Sequence, residues 1–228
     1  MRGTVLVTGG ARRLGKAIAE TLRTRGWNVL AASRTAPDAA VAVDLSEPDA
    51  PSKLFAAAKA VAPDLCAIVN NAAVFSQRQE MPPDELTRLR AVNVDAPRAL
   101  TALLATNCGG IDWEGRHLGG GAVVNIIDCH ALGPVRADDT PYLKSKRDLL
   151  AATMEDACAL TGRVRVNAVA PGPVLPPESC HERAGSTPLG RHPKPQEVAN
   201  AVAFLLSAES TTGAVIPVDG GQSLCIEP

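Results

Sequence analysis

Short runs of consecutive apolar, mostly β-branched residues alternate with longer stretches in which apolar residues recur at helical spacing. Thr4–Thr8, Trp27–Ser33, Ala39–Asp44, Cys66–Asn71, Val123–Ile127, Arg163–Ala170 and Ala214–Asp219 read as strands. Helices are predicted over about 13–25, 50–61, 83–106, 142–160 and 195–207, the third supported by Leu86, Leu89, Val92, Leu100, Leu103 and Leu104. Strands apolar along their whole length belong to a parallel sheet covered on both faces. Strict alternation of strand and helix makes that sheet doubly wound.

The expected fold is α/β, a Rossmann-type, mostly parallel seven-stranded sheet flanked by helices, in a single domain over residues 1–228. Ligands of such sheets bind beyond the carboxyl ends of the strands. Two segments break the alternation. Residues 107–121 are glycine-rich and read as a surface excursion. Residues 172–193 follow the sixth strand on the ligand side, and within them 176–190 is where substrate choice is expected to lie.

Composition narrows the classes. With 23 basic and 24 acidic residues and no basic stripe, nothing points to nucleic acid or an anionic membrane surface. No apolar run approaches membrane-spanning length. The six cysteines show neither CxxC nor metal-ligand spacing, so no metal is expected. Together with a first strand that starts almost at the N-terminus, this predicts a cytoplasmic protein. Six aromatic residues in all leave an aliphatic core and make each aromatic worth separate attention.

After the first strand comes TGGARRLGKAIAE, with Gly9, Gly10 and Gly15 where a chain turns tightly against a pyrophosphate and a helix N-terminus faces it. NAD sites place an acidic residue about twenty residues further on. Here that strand ends in Ser33 and Arg34, a hydroxyl and a guanidinium suited to a 2′-phosphate, so the cofactor expected is NADPH. Asp44, ending the third strand, reads equally as an adenine contact or as a helix N-cap.

The stretch VVNIIDCHAL carries a strand that stops at a carboxylate, Asp128. Such a charge at the end of an apolar run costs free energy unless something uses it. Tyr142 and Lys146 lie four apart on one helical face, and an ammonium beside a phenol lowers the phenol's pKa from about 10. His130, two residues past Asp128, is a candidate substrate contact, whereas His181 and His192 read as surface residues.

TGGARRLG, NNAA at Asn70–Ala73, Asn93 in AVNVDAP, YLKSK, VNAVAPGPV and PVDGGQSL follow in the order of the short-chain dehydrogenase/reductase family, which the chain resembles from Thr4 to about Leu224. The residue usual at Asp128 in that family is serine. Arg13 in the glycine turn, Asp128 and Phe75 in NNAAVF together resemble the pteridine reductase branch, including the bacterial dihydromonapterin reductases. Ala73 lacks the hydroxyl often found there, and PGPVLPP lacks the threonine of general family members.

The resemblance implies catalytic roles for Asp128, Tyr142, Lys146 and Asn93, the last supporting a water relay behind Lys146. It implies cofactor contacts from Gly9, Arg12, Arg13, Leu14, Gly15, Ser33, Arg34, Asp44, Leu45, Asn71, Ala72, Lys146, Pro171 and Gly172. Substrate contacts fall to Arg13, Phe75, Asp128 and Tyr142: the phenylalanine stacks on a flat pterin, and the carboxylate suits its guanidine-like edge. The implied reaction is hydride transfer from NADPH to a C=N bond of a dihydropterin, in a homotetramer. An ordinary carbonyl reductase and a dinucleotide binder without turnover remain open beside it.

Overall fold

The computed structural model describes residues 2–35, 40–108, 120–174 and 187–225. Most of the 107–121 excursion and of the 176–190 loop, including His181, lies outside the described residues. Seven strands form one parallel sheet in the order β3-β2-β1-β4-β5-β6-β7. They are β1 (Thr4–Thr8), β2 (Asn28–Ser33), β3 (Val41–Ala42), β4 (Leu65–Asn70), β5 (Gly121–Ile126), β6 (Val164–Pro171) and β7 (Val215–Val218). The expected third strand shrinks to two residues at the sheet edge, where only β2 pairs with it.

The helices are α1 (Arg13–Thr24), α2 (Ala50–Val61), α3 (Pro83–Arg90), α4 (Ala96–Asn107), α5 (Pro141–Ala159) and α6 (Pro195–Ser207). Alternation along each strand divides the core in two. In β1, Leu6 joins Leu54, Phe55, Leu100 and Leu104 of α2 and α4 on one face. Its neighbours Val5 and Val7 join Ile18 and Leu22 of α1 and Val202 and Leu205 of α6 on the other.

The single helix expected over about 83–106 is two helices joined by a π-helical turn, Ala91–Asp95. The wider turn admits one extra residue without breaking the rod, and such turns favour functional positions. It carries Asn93, whose side chain is fully buried.

Candidate active site

The sheet order reverses between β1 and β4, and there the strand ends open a cleft of about 1380 Å³. That exceeds the roughly 300–1,000 Å³ of a pocket for one drug-sized molecule. Its lining brings together Gly9, Arg12, Arg13, Leu14, Gly15, Ser33, Arg34, Asp44, Leu45, Asn71, Ala72, Phe75, Asp128, Tyr142, Lys146, Pro171 and Gly172, while Asn93 stands behind it.

The glycine turn is built by close approach. A Cβ on Gly15 would lie 2.1 Å from the Gly9 carbonyl oxygen and 2.6 Å from Nδ2 of Asn71. Gly9 itself has φ +64°, in the left-handed region that side chains avoid. Asn71 latches the end of β4 onto this turn, donating to the carbonyls of Thr8 (2.9 Å) and Gly9 (3.3 Å). The Thr8 hydroxyl accepts from the backbone N–H groups of Asn71 and Ala72. Arg13 opens α1 with φ 49°, the one non-glycine residue at positive φ among the described residues. A strained arginine at the mouth of a cleft is the kind of outlier that functional sites retain.

At the far end, Asp44 is not the cap of α2, whose N-cap is Asp49. Its Oδ1 accepts from the backbone N–H and hydroxyl of Ser46, and its Oδ2 faces Arg34 at 3.6 Å and Arg88 at 3.2 Å. Burial pushes the Asp44 carboxyl up, but the Ser46 donors and the Arg34 charge outweigh it and hold it below the ordinary range. Two guanidiniums on one carboxylate leave a net positive charge beside Ser33. Arg88 was missed in the sequence; Glu85, Arg88 and Val92 line the cleft at helical spacing, which is the signal that was there to find.

The chemical end lies where β5 meets α5. Tyr142 donates to Oδ2 of Asp128 at 3.3 Å. Oδ1 of Asp128 accepts from the His130 backbone N–H at 2.9 Å and meets Nδ1 of the His130 ring at 2.9 Å. Burial alone would raise the Asp128 carboxyl, but the His130 donors and the charges of His130 and Lys146 leave it below its ordinary value. Phe75 stands edge-on to Tyr142, with ring centroids 4.8 Å apart and planes at 77°.

The expected lowering of the tyrosine's pKa is reversed. Burial first, then the Asp128 charge and hydrogen bond, hold the phenol well above its usual value. Lys146 does not counter this, because its ammonium donates to the Ile126 carbonyl at 2.8 Å and lies 5.7 Å from the phenol ring centroid. Burial pulls Lys146 down to about 8.

Asn93 lies in the π-helical turn packed against α5. Its amide donates to the Val74 carbonyl (3.0 Å) and the Ser145 hydroxyl (2.9 Å), and its oxygen accepts from Val74 N–H (2.8 Å). The side chain thereby ties the Phe75 segment to α5. His130 lines the cleft. Oxygen, sulfur and nitrogen atoms of Asp128, Cys129 and His130 lie within 4.8 Å of one another. Burial pushes the Cys129 thiol strongly up.

A family model described as enoyl-(acyl carrier protein) reductase matches residues 9–223. The chain is similar to the solved FolM alternative dihydrofolate reductase 1 of Brucella canis, complexed with NADP. The two are 32% identical with a TM-score of 0.83, over 99% of this chain and 96% of that one. It is 31% identical to cis-4-hydroxycyclohexanecarboxylate dehydrogenase of Sinomonas cyclohexanicum, over 96% of this chain and 95% of that protein. It is 30% identical to human L-xylulose reductase, over 97% of this chain and 96% of that protein. No helix among the described residues is long and apolar enough to cross a membrane.

Proposed function

The chain belongs to the short-chain dehydrogenase/reductase family, and from that premise we propose that it is an NADPH-dependent reductase of dihydropterins. The observation that carries the substrate class is the group formed by Phe75, Tyr142 and Asp128: an exposed aromatic face, a protonated phenol and a carboxylate around one mouth.

The residues fit the dinucleotide. The turn at Gly9 and Gly15 has room for no side chain, and it brings the N-terminus of α1 to the cleft, where backbone N–H groups and the helix dipole favour a pyrophosphate. Ser33, Arg34 and Arg88 suit a 2′-phosphate, because charge-assisted bonds from guanidinium groups are strong and directional. Bound there, NADPH supplies the hydride. Lys146 and the Pro171–Gly172 turn line the stretch of cleft between α5 and the end of β6, the place for the nicotinamide ribose.

Tyr142 serves as the proton donor. A phenol held above its normal pKa stays protonated at neutral pH, and a reduction consumes a proton, so the direction of the shift matches the need. Asp128 holds the substrate. A carboxylate offers about four lone-pair sites; Oδ1 serves His130 twice, and Oδ2 serves Tyr142 once. The remaining site on Oδ2 is suited to a ring N–H or amino group. A carboxylate there suits the guanidine-like edge of a pterin better than the carbonyl of a ketone. The likeness to the Brucella protein named as a dihydrofolate reductase supports the same reading.

The test is NADPH consumption with dihydropterins and dihydrofolate beside a panel of ketones, ketoses and oxoacyl thioesters. The likeness to L-xylulose reductase favours a carbonyl substrate as the second reading. Turnover of carbonyl compounds alone, with Asp128→Ser as active as the wild type, would establish that alternative and refute the first. The homotetramer implied by the family resemblance and the cytoplasmic location expected from the cysteine usage are part of this proposal, the former checked by light scattering and the latter by fractionation.

A further inference from the structure

We propose that His130 is a positioning residue for the reductive site, setting the orientation and charge environment of Asp128 and through it the proton on Tyr142. The inference rests on the reading of Tyr142 as proton donor. It extends that reading to a residue that acts on the phenol through Asp128.

The geometry is a chain of contacts. Tyr142 donates to Oδ2 of Asp128 at 3.3 Å, and the other carboxylate oxygen meets Nδ1 of His130 at 2.9 Å. Asp128 also caps the short helical turn Cys129–Leu132 by accepting the His130 N–H, so ring and backbone of one residue grip the same oxygen. The carboxyl plane is thereby fixed with its second oxygen toward the phenol. Nε2 of His130 faces the amide nitrogen of Gln222 at 3.3 Å. An amide offers an oxygen at one end and N–H groups at the other, so Gln222 can serve either protonation state of the ring.

The backbone that carries His130 is clamped from below. Arg147, one residue past Lys146, donates to the carbonyls of His130 (3.2 Å), Ala131 (3.0 Å), Gly133 (2.6 Å) and Pro134 (2.7 Å). Its Nε donates to Asp139 at 3.0 Å. A guanidinium with its donors spent this way holds a loop rather than a ligand.

The ring itself is open to solvent, with 46% of the side chain exposed, whereas Lys146 is buried and Tyr142 is half-buried. His130 is therefore the member of this chain of contacts most open to solvent protons. The Nδ1–H to Asp128 contact is available to both the neutral and the charged ring, so titration changes the charge beside Asp128 without breaking the contact. Among the described residues, the charged or titratable groups near it include Asp128 and Cys129 on its own segment and Tyr142, Lys146 and Arg147 on α5; Asp219 acts on neighbouring Cys129, and Gln222 is neutral.

Two measurements test this. The first needs no substrate: the ring resonances of His130 are followed by NMR across pH in the wild type and in Asp128→Asn. Loss of the carboxylate should move the midpoint to lower pH by about one unit, the size of one opposite-charge contact at a half-exposed site. An unmoved midpoint in a folded variant overturns the proposal. The second is the pH profile of kcat in His130→Gln. The wild type should show an inflection in the imidazole range that the variant lacks, with KM for NADPH unchanged and kcat lowered. A superimposable profile overturns the proposal, and so does complete inactivity at every pH in a variant that still binds NADPH. Failure of the dihydropterin reading leaves the NMR arm intact and is thus distinguished from failure of this one.

Discussion

The hydroxyl of Tyr142 donates to Oδ2 of Asp128 at 3.3 Å, and its partial burial and that carboxylate both favour the protonated phenol. Tyr142 is the chain's single tyrosine, so the tyrosinate absorbance band reports this one group. We expect its alkaline midpoint to lie above about 10, the ordinary value. Asp128→Asn, which removes the charge but keeps the shape, should bring the midpoint down. A wild-type midpoint below that of free tyrosine would contradict the electrostatics described here. The same variant should keep NADPH affinity and lose about 10² or more in dihydropterin turnover, the scale of a displaced proton donor.

Arg34 and Arg88 both face Oδ2 of Asp44, at 3.6 and 3.2 Å, and line the far end of the cleft. Either arginine changed to alanine should weaken NADPH by roughly tenfold to a hundredfold, the worth of one charge-assisted hydrogen bond, with NADH little affected. Fluorescence titration with both dinucleotides measures the ratio. Equal losses for NADH and NADPH would remove the arginines from recognition of the 2′-phosphate.

These relationships differ in how far the sequence discloses them. The sheet was legible because its strands are apolar along their length, as in β5 and β6, where every residue but Arg165 is buried. The glycine turn and the Tyr142–Lys146 pair were legible because their motifs follow in the order of the family the chain resembles. The π-helical turn was not, since one extra residue inside a helix leaves no mark on composition. The direction of the Tyr142 shift was not either. It depends on where the Lys146 ammonium points, and the Ile126 carbonyl that captures it belongs to another element. Arg88 has the same origin: it meets Asp44, from a distant segment, only after the sheet has formed.

Lys146 is buried, and its pKa falls to about 8 in the fold from 10.5. Between those values the unfolded chain binds the extra proton, so this group's contribution to stability rises with pH through that window. Cofactor holding runs the other way, because the ammonium is lost as pH rises through about 8. NADPH affinity should therefore decline above that pH while this contribution to thermal stability increases. Lys146→Met should flatten both trends. Parallel pH dependence of affinity in the wild type and the variant would show that another group controls it.

Phe75 is 57% exposed and stands 4.8 Å from Tyr142, ring edge to ring face. An aromatic ring left open at the mouth of a cleft buries little on folding, so its truncation should change stability by no more than about 0.5 kcal/mol. Stacking of an aromatic side chain on a heterocyclic base is worth roughly 1–3 kcal/mol by alanine substitution. Phe75→Ala should therefore raise KM for a dihydropterin by about tenfold or more while leaving NADPH affinity and melting temperature nearly unchanged, and Phe75→Trp should restore most of the loss. The backbone of this segment is held by Asn93 through both polar groups of Val74, so the substitution removes the ring without releasing the loop. A KM for dihydropterin that ignores the loss of the ring would leave Asp128 as the sole determinant of the substrate and would shift the balance toward a small carbonyl compound.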